Sequence, residues 1–151
     1  MKINLEINNK AESPIKDIFL VVVAKKTLAE INLKFLEKKD ILVSVAIVSE
    51  KEIQKLNKKW RKVDKSTDVL SFPEFGSLRE LKKNIQTELF LGEIILCYDD
   101  IKKYVSAEKL ELKKELAKVF AHGILHLLGF QHGKVMFGWQ EKVAKNFSNK
   151  I

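Results

Sequence analysis

The chain has 151 residues, of which 46% are hydrophobic and 32% charged, and this fits a soluble globular protein of one domain, residues 1–151. Its single cysteine, Cys97, excludes an internal disulfide bond and a zinc site built from several cysteines. The net charge of +8 favours a phosphate-rich partner such as nucleic acid, although a lysine-rich surface can also serve solubility alone.

The apolar run nearest the start of the chain, residues 18–24, is too short to cross a bilayer. It follows the acidic Asp17 and has no cleavage site of small residues, unlike a secretory signal. We therefore expect a cytoplasmic protein with no targeting segment and no membrane contact.

Two strands and two helices are predicted in the first 60 residues. Ser13 followed by Pro14 is typical of a helix start, and Ser49 is typical of the residue that caps a second helix. Alternating polarity predicts a half-buried first strand, and a β-branched apolar run predicts an inner second strand. The predicted elements are strand 2–8, helix 14–36, strand 41–48 and helix 50–59.

The middle of the chain begins with a basic stretch that ends before Ser66, which we interpret as an exposed loop. Thr67–Phe72 has strand character and is ended by Pro73, so we expect a strand at the edge of a sheet. Residues 74–90 predict either a short helix around 78–85 or a flexible loop.

The second half predicts one more strand, 92–97, followed by helices. Ser106 is interpreted as the cap of a long helix that reaches His126. Short helices are predicted over 99–105 and 136–147. Together the elements predict an α+β fold: a small mixed sheet of about four strands, with helices packed mainly on one face.

All three histidines of the chain lie within residues 119–133. His122 and His126 are four residues apart, which places them on one face of a helix. Gly129 allows the helix to end in a left-handed residue, so that His132 can turn back toward the other two. A lone histidine in an apolar helix is usually a hydrogen-bonded core residue, but this spacing favours three ligands of one metal ion with an open fourth position, as in catalytic zinc sites.

The same spacing resembles the zinc-binding signature of the metzincin proteases. Those enzymes carry a glutamate directly after the first histidine, where it acts as the general base. This chain has Gly123 at that position, so peptide hydrolysis by that mechanism is disfavoured.

Several stretches together resemble a second family. They are 122–132 (HGILHLLGFQH), Trp60-Arg61 through 67–73 (TDVLSFP), 91–95 (LGEII), and the trailing Met136 with Gln140-Glu141. Spread over about residues 40–145, they resemble the YbeY family of bacterial rRNA-maturation endoribonucleases. The resemblance implies a zinc-dependent, single-strand-specific endoribonuclease that acts in maturation of the 16S rRNA 3′ end and in ribosome quality control.

The resemblance also implies site residues and partners. The family's metal ligands fall on His122, His126 and His132, and its functional arginine falls on Arg61. We expect Zn²⁺, with Ni²⁺ as the alternative. The expected partners are rRNA and ribosomal particles, with ribosomal proteins or GTPases as candidate protein partners, and the chain itself is expected to be a monomer.

Two residues depart from the family pattern. Gln131 stands where the family usually has an aspartate before the third histidine, and Glu93 stands where it usually has aspartate. A glutamine can accept a hydrogen bond and orient a ligand, but it cannot take a proton.

The residues predict phosphodiester hydrolysis. Three neutral imidazoles leave a metal its full charge, which lowers the pKa of a bound water to roughly 7. Arg61, one of only two arginines among 28 basic residues, would hold the phosphate by a forked contact, unless it is simply a cation at a helix end. Trp60 can stack on an unpaired base, although packing is the more usual role for tryptophan. The lysines at 58, 59, 62 and 65 would attract the RNA backbone.

Two other functions stay open at this point. One is a ribosome-assembly or RNA-binding factor with a structural metal, for which Gln131 leaves room. The other is a metal-dependent hydrolase of another substrate, against which Gly123 counts where that substrate is a peptide.

Overall fold

The computed structural model describes residues 1–147, which contain one mixed sheet of four strands. The strands are β1 (Lys2–Asn9), β2 (Asp40–Ile47), β3 (Val69–Pro73) and β4 (Glu88–Leu96). They lie in the order β1-β2-β4-β3, with β1, β2 and β4 parallel and β3 antiparallel to β4. The predicted α+β fold with a small mixed sheet is confirmed.

Six α-helices accompany the sheet within the described residues. They are α1 (Asp17–Ile31), α2 (Glu50–Arg61), α3 (Leu78–Lys83), α4 (Tyr98–Glu108), α5 (Leu112–Leu127) and α6 (Lys134–Ala144). Short 3₁₀ turns cover Lys34–Leu36 and Lys145–Phe147. In residues 1–147, no helix is long and apolar enough to cross a membrane.

The main hydrophobic core lies between one face of the sheet and helices α1, α5 and α6. Phe120 and Ile124 of α5 are fully buried there, as is Ile94 of β4. A smaller core lies on the opposite face, where Ile53 of α2 packs with Ile95 of β4. Because both faces are covered, β2 and β4 are almost continuously apolar, as inner strands of parallel sheets usually are.

β3 is an edge strand, as its terminal proline predicted. Pro73 has no backbone N–H and therefore cannot donate to a further strand. On its inner side β3 pairs with β4, and it also contacts α5. This edge brings the stretch from Asp68 to Phe72 beside the helix that carries the first two histidines.

The predictions that Ser13 begins α1 and that Ser106 caps α5 are both wrong. The backbone N–H of Ser13 donates to Asn9 Oδ1 at 2.9 Å, which holds these residues in a turn and delays the start of α1 to Asp17. Ser106 lies inside α4, which ends only where Lys109 takes a left-handed conformation with φ 53°. α5 therefore begins later than predicted, at Leu112.

Four other boundaries differ from the predictions. α1 ends at Ile31 because Asn32 is left-handed, with φ 46°. α2 continues through the predicted basic loop to Arg61, so that Arg61 is its last helical residue. β4 begins at Glu88, earlier than predicted, because its first residues extend the pairing with β2. The last helix begins at Lys134 and gives way at Lys145 to a 3₁₀ turn.

Candidate metal centre

Helix α5 positions the first two histidines. Its buried side packs into the main core, while His122 and His126 lie one turn apart and are each half-buried. Gly123, between them, is buried against β4, where an added Cβ would lie 3.1 Å from Ile94 Cδ1. The position directly after His122 therefore faces the sheet. A larger residue there would require Ile94 to shift by a few tenths of an ångström.

Gly129 turns the chain back after α5. Its φ of 96° lies in the left-handed region, and an added Cβ would come 2.3 Å from the backbone nitrogen of Leu78 at the start of α3. The N–H of Phe130 donates to the carbonyl oxygen of Leu125, which closes the turn. The predicted left-handed glycine is confirmed, and the close approach of α3 makes any side chain there doubly unfavourable.

The turn brings His132 to the other two histidines. Its Nε2 lies 2.9 Å from Nε2 of His126 and 3.2 Å from Nε2 of His122. A zinc ion with Zn–N bonds of roughly 2.0–2.1 Å in tetrahedral geometry requires nitrogens about 3.3 Å apart, so the three imidazoles fit one such ion. No carboxylate or thiolate from residues 1–147 joins the group. The predicted convergence is confirmed, and the role as metal ligands stays a prediction.

Hydrogen bonds fix which nitrogen of each half-buried ring carries the proton. His122 Nδ1 donates to Gln140 Oε1 at 2.8 Å, and His126 Nδ1 donates to the carbonyl oxygen of Phe130 at 3.1 Å. Both partners are acceptors only, so the Nε2 lone pairs of both rings are left free to point into the cluster. His132 is exposed, and its ring stacks on Phe137 with centroids 6.1 Å apart.

Burial also favours the neutral form of the two half-buried imidazoles. Burial, reinforced by the neighbouring histidines and by the charge of Arg61, lowers the pKa of His126 to about 4. Burial likewise lowers the pKa of His122. Neutral imidazole is the form that binds metal. The cluster is therefore ready for a cation at neutral pH.

Arg61 lies at the end of α2 with an exposed side chain, and its charge reaches His126. None of the ion pairs within residues 1–147 involves Arg61. Its guanidinium is thus available to an anion near the cluster, and its predicted phosphate role stays a prediction.

Two residues near the cluster were missed by sequence reasoning. Gln140 of α6 is 6% exposed and orients His122 by a hydrogen bond. The two residues are 18 positions apart, so no local sequence pattern predicts the contact. Asp68 lies in the predicted edge strand 67–72, and its carboxyl was not predicted to belong to the site. Burial and then Asp100 raise its pKa, whereas His122 lowers it, so its carboxyl lies within electrostatic reach of the cluster. The available signal was an acidic residue at the start of the edge strand, which begins at Val69 in the structure.

The two departures from the family pattern lie in different surroundings. Glu93 precedes Ile94, which faces α5, so by strand alternation Glu93 lies on the opposite face, where it accepts a hydrogen bond from Ser44 at 3.2 Å. Gln131 is exposed, and among residues 1–147 no hydrogen bond joins its side chain to a histidine. Gln140, not Gln131, orients a histidine.

Comparison with known proteins agrees with the fold and the histidine cluster. The family model described as Endoribonuclease YbeY matches residues 6–148. The protein of that name from Sulfurihydrogenibium sp. (strain YO3AOP1) is 33% identical over 147 residues, covering 93% of this chain and 88% of that protein. Its namesake from Aquifex aeolicus (strain VF5) is 35% identical over 126 residues, which cover 82% and 76% of the two chains.

The fold also matches a solved structure. The solution structure of a protein from Thermotoga maritima superposes with a TM-score of 0.62 at 29% identity, covering 94% of this chain and 87% of that one. The family match extends over nearly the whole chain and includes both the histidine turn and the edge strand beside it. The chain therefore belongs to the YbeY family of endoribonucleases.

Proposed function

We propose that this chain is a metal-dependent endoribonuclease that hydrolyses phosphodiester bonds in single-stranded RNA. The proposed metal ligands are His122, His126 and His132, and the proposed ion is Zn²⁺, with Ni²⁺ as the alternative. The observation that carries the proposal is the convergence of three Nε2 atoms, with neighbouring pairs 2.9 and 3.2 Å apart and no fourth ligand from residues 1–147. Such a set suits a catalytic rather than a structural ion.

A divalent metal bound by three imidazoles supplies a Lewis acid for a phosphate oxygen and lowers the pKa of a water molecule. The chain's own contribution is to hold the ligands in the correct tautomer. Gln140 and the carbonyl of Phe130 retain the Nδ1 protons of His122 and His126, so that neither ring must reorient when the metal binds.

Arg61 is the proposed phosphate-binding residue. Its guanidinium has two parallel N–H donors for two phosphate oxygens, and negative charge on those oxygens grows as the reaction proceeds. The exposed position at the end of α2 and the reach of its charge to His126 support this role.

The proposed substrate is the 3′ end of 16S rRNA in ribosomal particles, with a further role in ribosome quality control in the cytoplasm. Family membership and the net charge of +8 support an RNA partner. Ribosomal proteins or GTPases are the candidate protein partners, and the chain is proposed to act as a monomer.

The test is cleavage of an end-labelled, single-stranded RNA that carries the 16S 3′ end. We expect His126→Ala to abolish cleavage and Arg61→Ala to slow it by about 10²–10³-fold, as loss of a transition-state donor does elsewhere. Lys2→Ala removes one positive charge at the opposite edge of the sheet and should leave the rate unchanged.

Folding of each variant is checked by circular dichroism. Equal cleavage by the parent and by both site variants would show that a contaminating nuclease is responsible. Tight RNA binding by the metal-loaded parent without any cleavage would favour the assembly-factor alternative.

A further inference from the structure

An indole ring lies exposed next to the proposed phosphate-binding arginine. Trp60, on the last turn of α2, is 59% exposed, although packing was the role that the sequence favoured. Its neighbour in the chain, Arg61, is also exposed. A large aromatic surface and a guanidinium therefore lie in solvent together at the end of α2.

The ring is held against the edge strand. Trp60 contacts Phe72 of β3 in a T-shaped arrangement, with centroids 6.0 Å apart and planes at 70°. Phe72 in turn packs against the smaller core. This contact anchors the indole on the edge strand while 59% of the tryptophan stays exposed, which leaves ring surface for a flat ligand.

The surroundings of the ring are strongly basic. Lys59 Nζ lies over one face of the ring, 5.0 Å from its centroid, so a stacking base must use the other face or displace this flexible side chain. Residues 58–65, here called the basic segment, contain five cations and a single acid, Asp64, which forms a weak ion pair with Lys58 at 3.8 Å. An aromatic side chain within a basic surface is the arrangement that proteins use to bind single-stranded nucleic acid, the ring stacking on a base while the cations follow the phosphates.

We propose that Trp60 is a stacking site for one unpaired nucleobase of the strand whose phosphate Arg61 holds. This inference rests on the proposed function and adds a base-binding subsite to it. A base in a duplex already stacks on its neighbours and cannot offer its face to the indole. The subsite therefore selects for single-stranded RNA. Phe137 is also 45% exposed, but His132 is stacked on it.

The experiment uses tryptophan fluorescence. The chain has two tryptophans, so the Trp139→Phe variant leaves Trp60 as the only reporter. It is titrated with a short oligodeoxyadenylate, which has bases and phosphates but is no ribonuclease substrate, and with an abasic strand of the same length. We expect the oligodeoxyadenylate to quench the fluorescence and the abasic strand to leave it largely unchanged.

Binding of the same strand to the metal-loaded parent and to variants is then measured by anisotropy. Trp60→Leu should weaken binding by about tenfold, while Trp60→Phe should recover most of the loss because it keeps an aromatic face. The matched control is Phe90→Leu. Phe90 is 41% exposed but lies on a surface that it shares with the acidic Glu6, Asp40 and Glu88, so binding should not change.

Equal quenching by both strands, or unchanged binding in a folded Trp60→Leu, would overturn the stacking site and leave Trp60 as a packing residue on Phe72. RNA cleavage by the parent, measured in parallel, separates this result from failure of the proposed function. A parent that neither binds nor cleaves RNA would overturn both proposals together.

Discussion

The histidine cluster and the basic segment are built in opposite ways. Around the cluster, the supporting contacts are buried and short: Gln140 is 6% exposed, and Gly129 leaves no room for a side chain. In the basic segment, Trp60 and Arg61 are both exposed, and Trp60 is joined to the edge strand by one ring contact with Phe72. The difference indicates that the arrangement of the proposed metal ligands is fixed by folding, whereas the proposed substrate contacts are surface features that can change without loss of stability.

The largest effect on stability is expected at the turn of the cluster. Gly129→Ala introduces a Cβ at φ 96° and 2.3 Å from the backbone of Leu78, and we expect it to lower the free energy of unfolding by about 3 kcal/mol. The control is Gly138→Ala in α6, where an added Cβ meets nothing within 4 Å and should stabilise by roughly 0.5–1 kcal/mol. Urea unfolding measures both changes. Equal effects of the two substitutions would contradict the account of the turn.

A second prediction concerns the residue that orients His122. Gln140→Leu removes the acceptor 2.8 Å from Nδ1, and metal affinity should fall by about 10–100-fold. Gln140→Glu keeps an acceptor and should retain affinity. Competition with a chromophoric chelator gives the dissociation constants, and thermal unfolding of the metal-free variants reveals any loss of folding. If Gln140→Leu binds metal as tightly as the parent, the contact has no orienting role.

A third prediction concerns the pH dependence of stability. In the folded chain the pKa of His126 is lowered to about 4 from its ordinary 6.5, mainly by burial. Below pH 6.5 the unfolded chain therefore binds this proton first, so stability of the metal-free protein should fall progressively as the pH drops from 6.5 toward 4. His126→Phe should show a shallower decline in urea unfolding with chelator present. Identical slopes would mean that His126 is not buried as described.

Features that depend on local geometry could be predicted from the sequence, whereas features that depend on contacts between elements could not. The histidine spacing, Gly129 and the edge strand ended by Pro73 were all readable, because each depends on local geometry within one turn or strand. Ser13 and Ser106 were misread because local caps compete with other contacts: Asn9 holds Ser13 in a turn, and α4 continues past Ser106 to Glu108.

Long-range contacts escaped prediction altogether. Gln140 meets His122 only because α6 packs on α5, and the packing of Gly123 against Ile94 is likewise a contact between separate elements. The exposure of Trp60 was also hidden, since an aromatic residue on a helix predicts packing as readily as binding. All three features depend on which helices and strands pack together, and a single sequence does not predict that packing.

The central claim is that three imidazoles share one metal ion through their Nε2 atoms and leave a position open. A crystal structure of the metal-loaded protein, with diffraction data collected at the metal absorption edge, tests it most directly. The account predicts one anomalous peak at about 2.0–2.1 Å from Nε2 of His122, His126 and His132, with solvent or phosphate as the remaining ligand. A peak bound by fewer than three of these rings, or a fourth protein side chain in the open position, would contradict it.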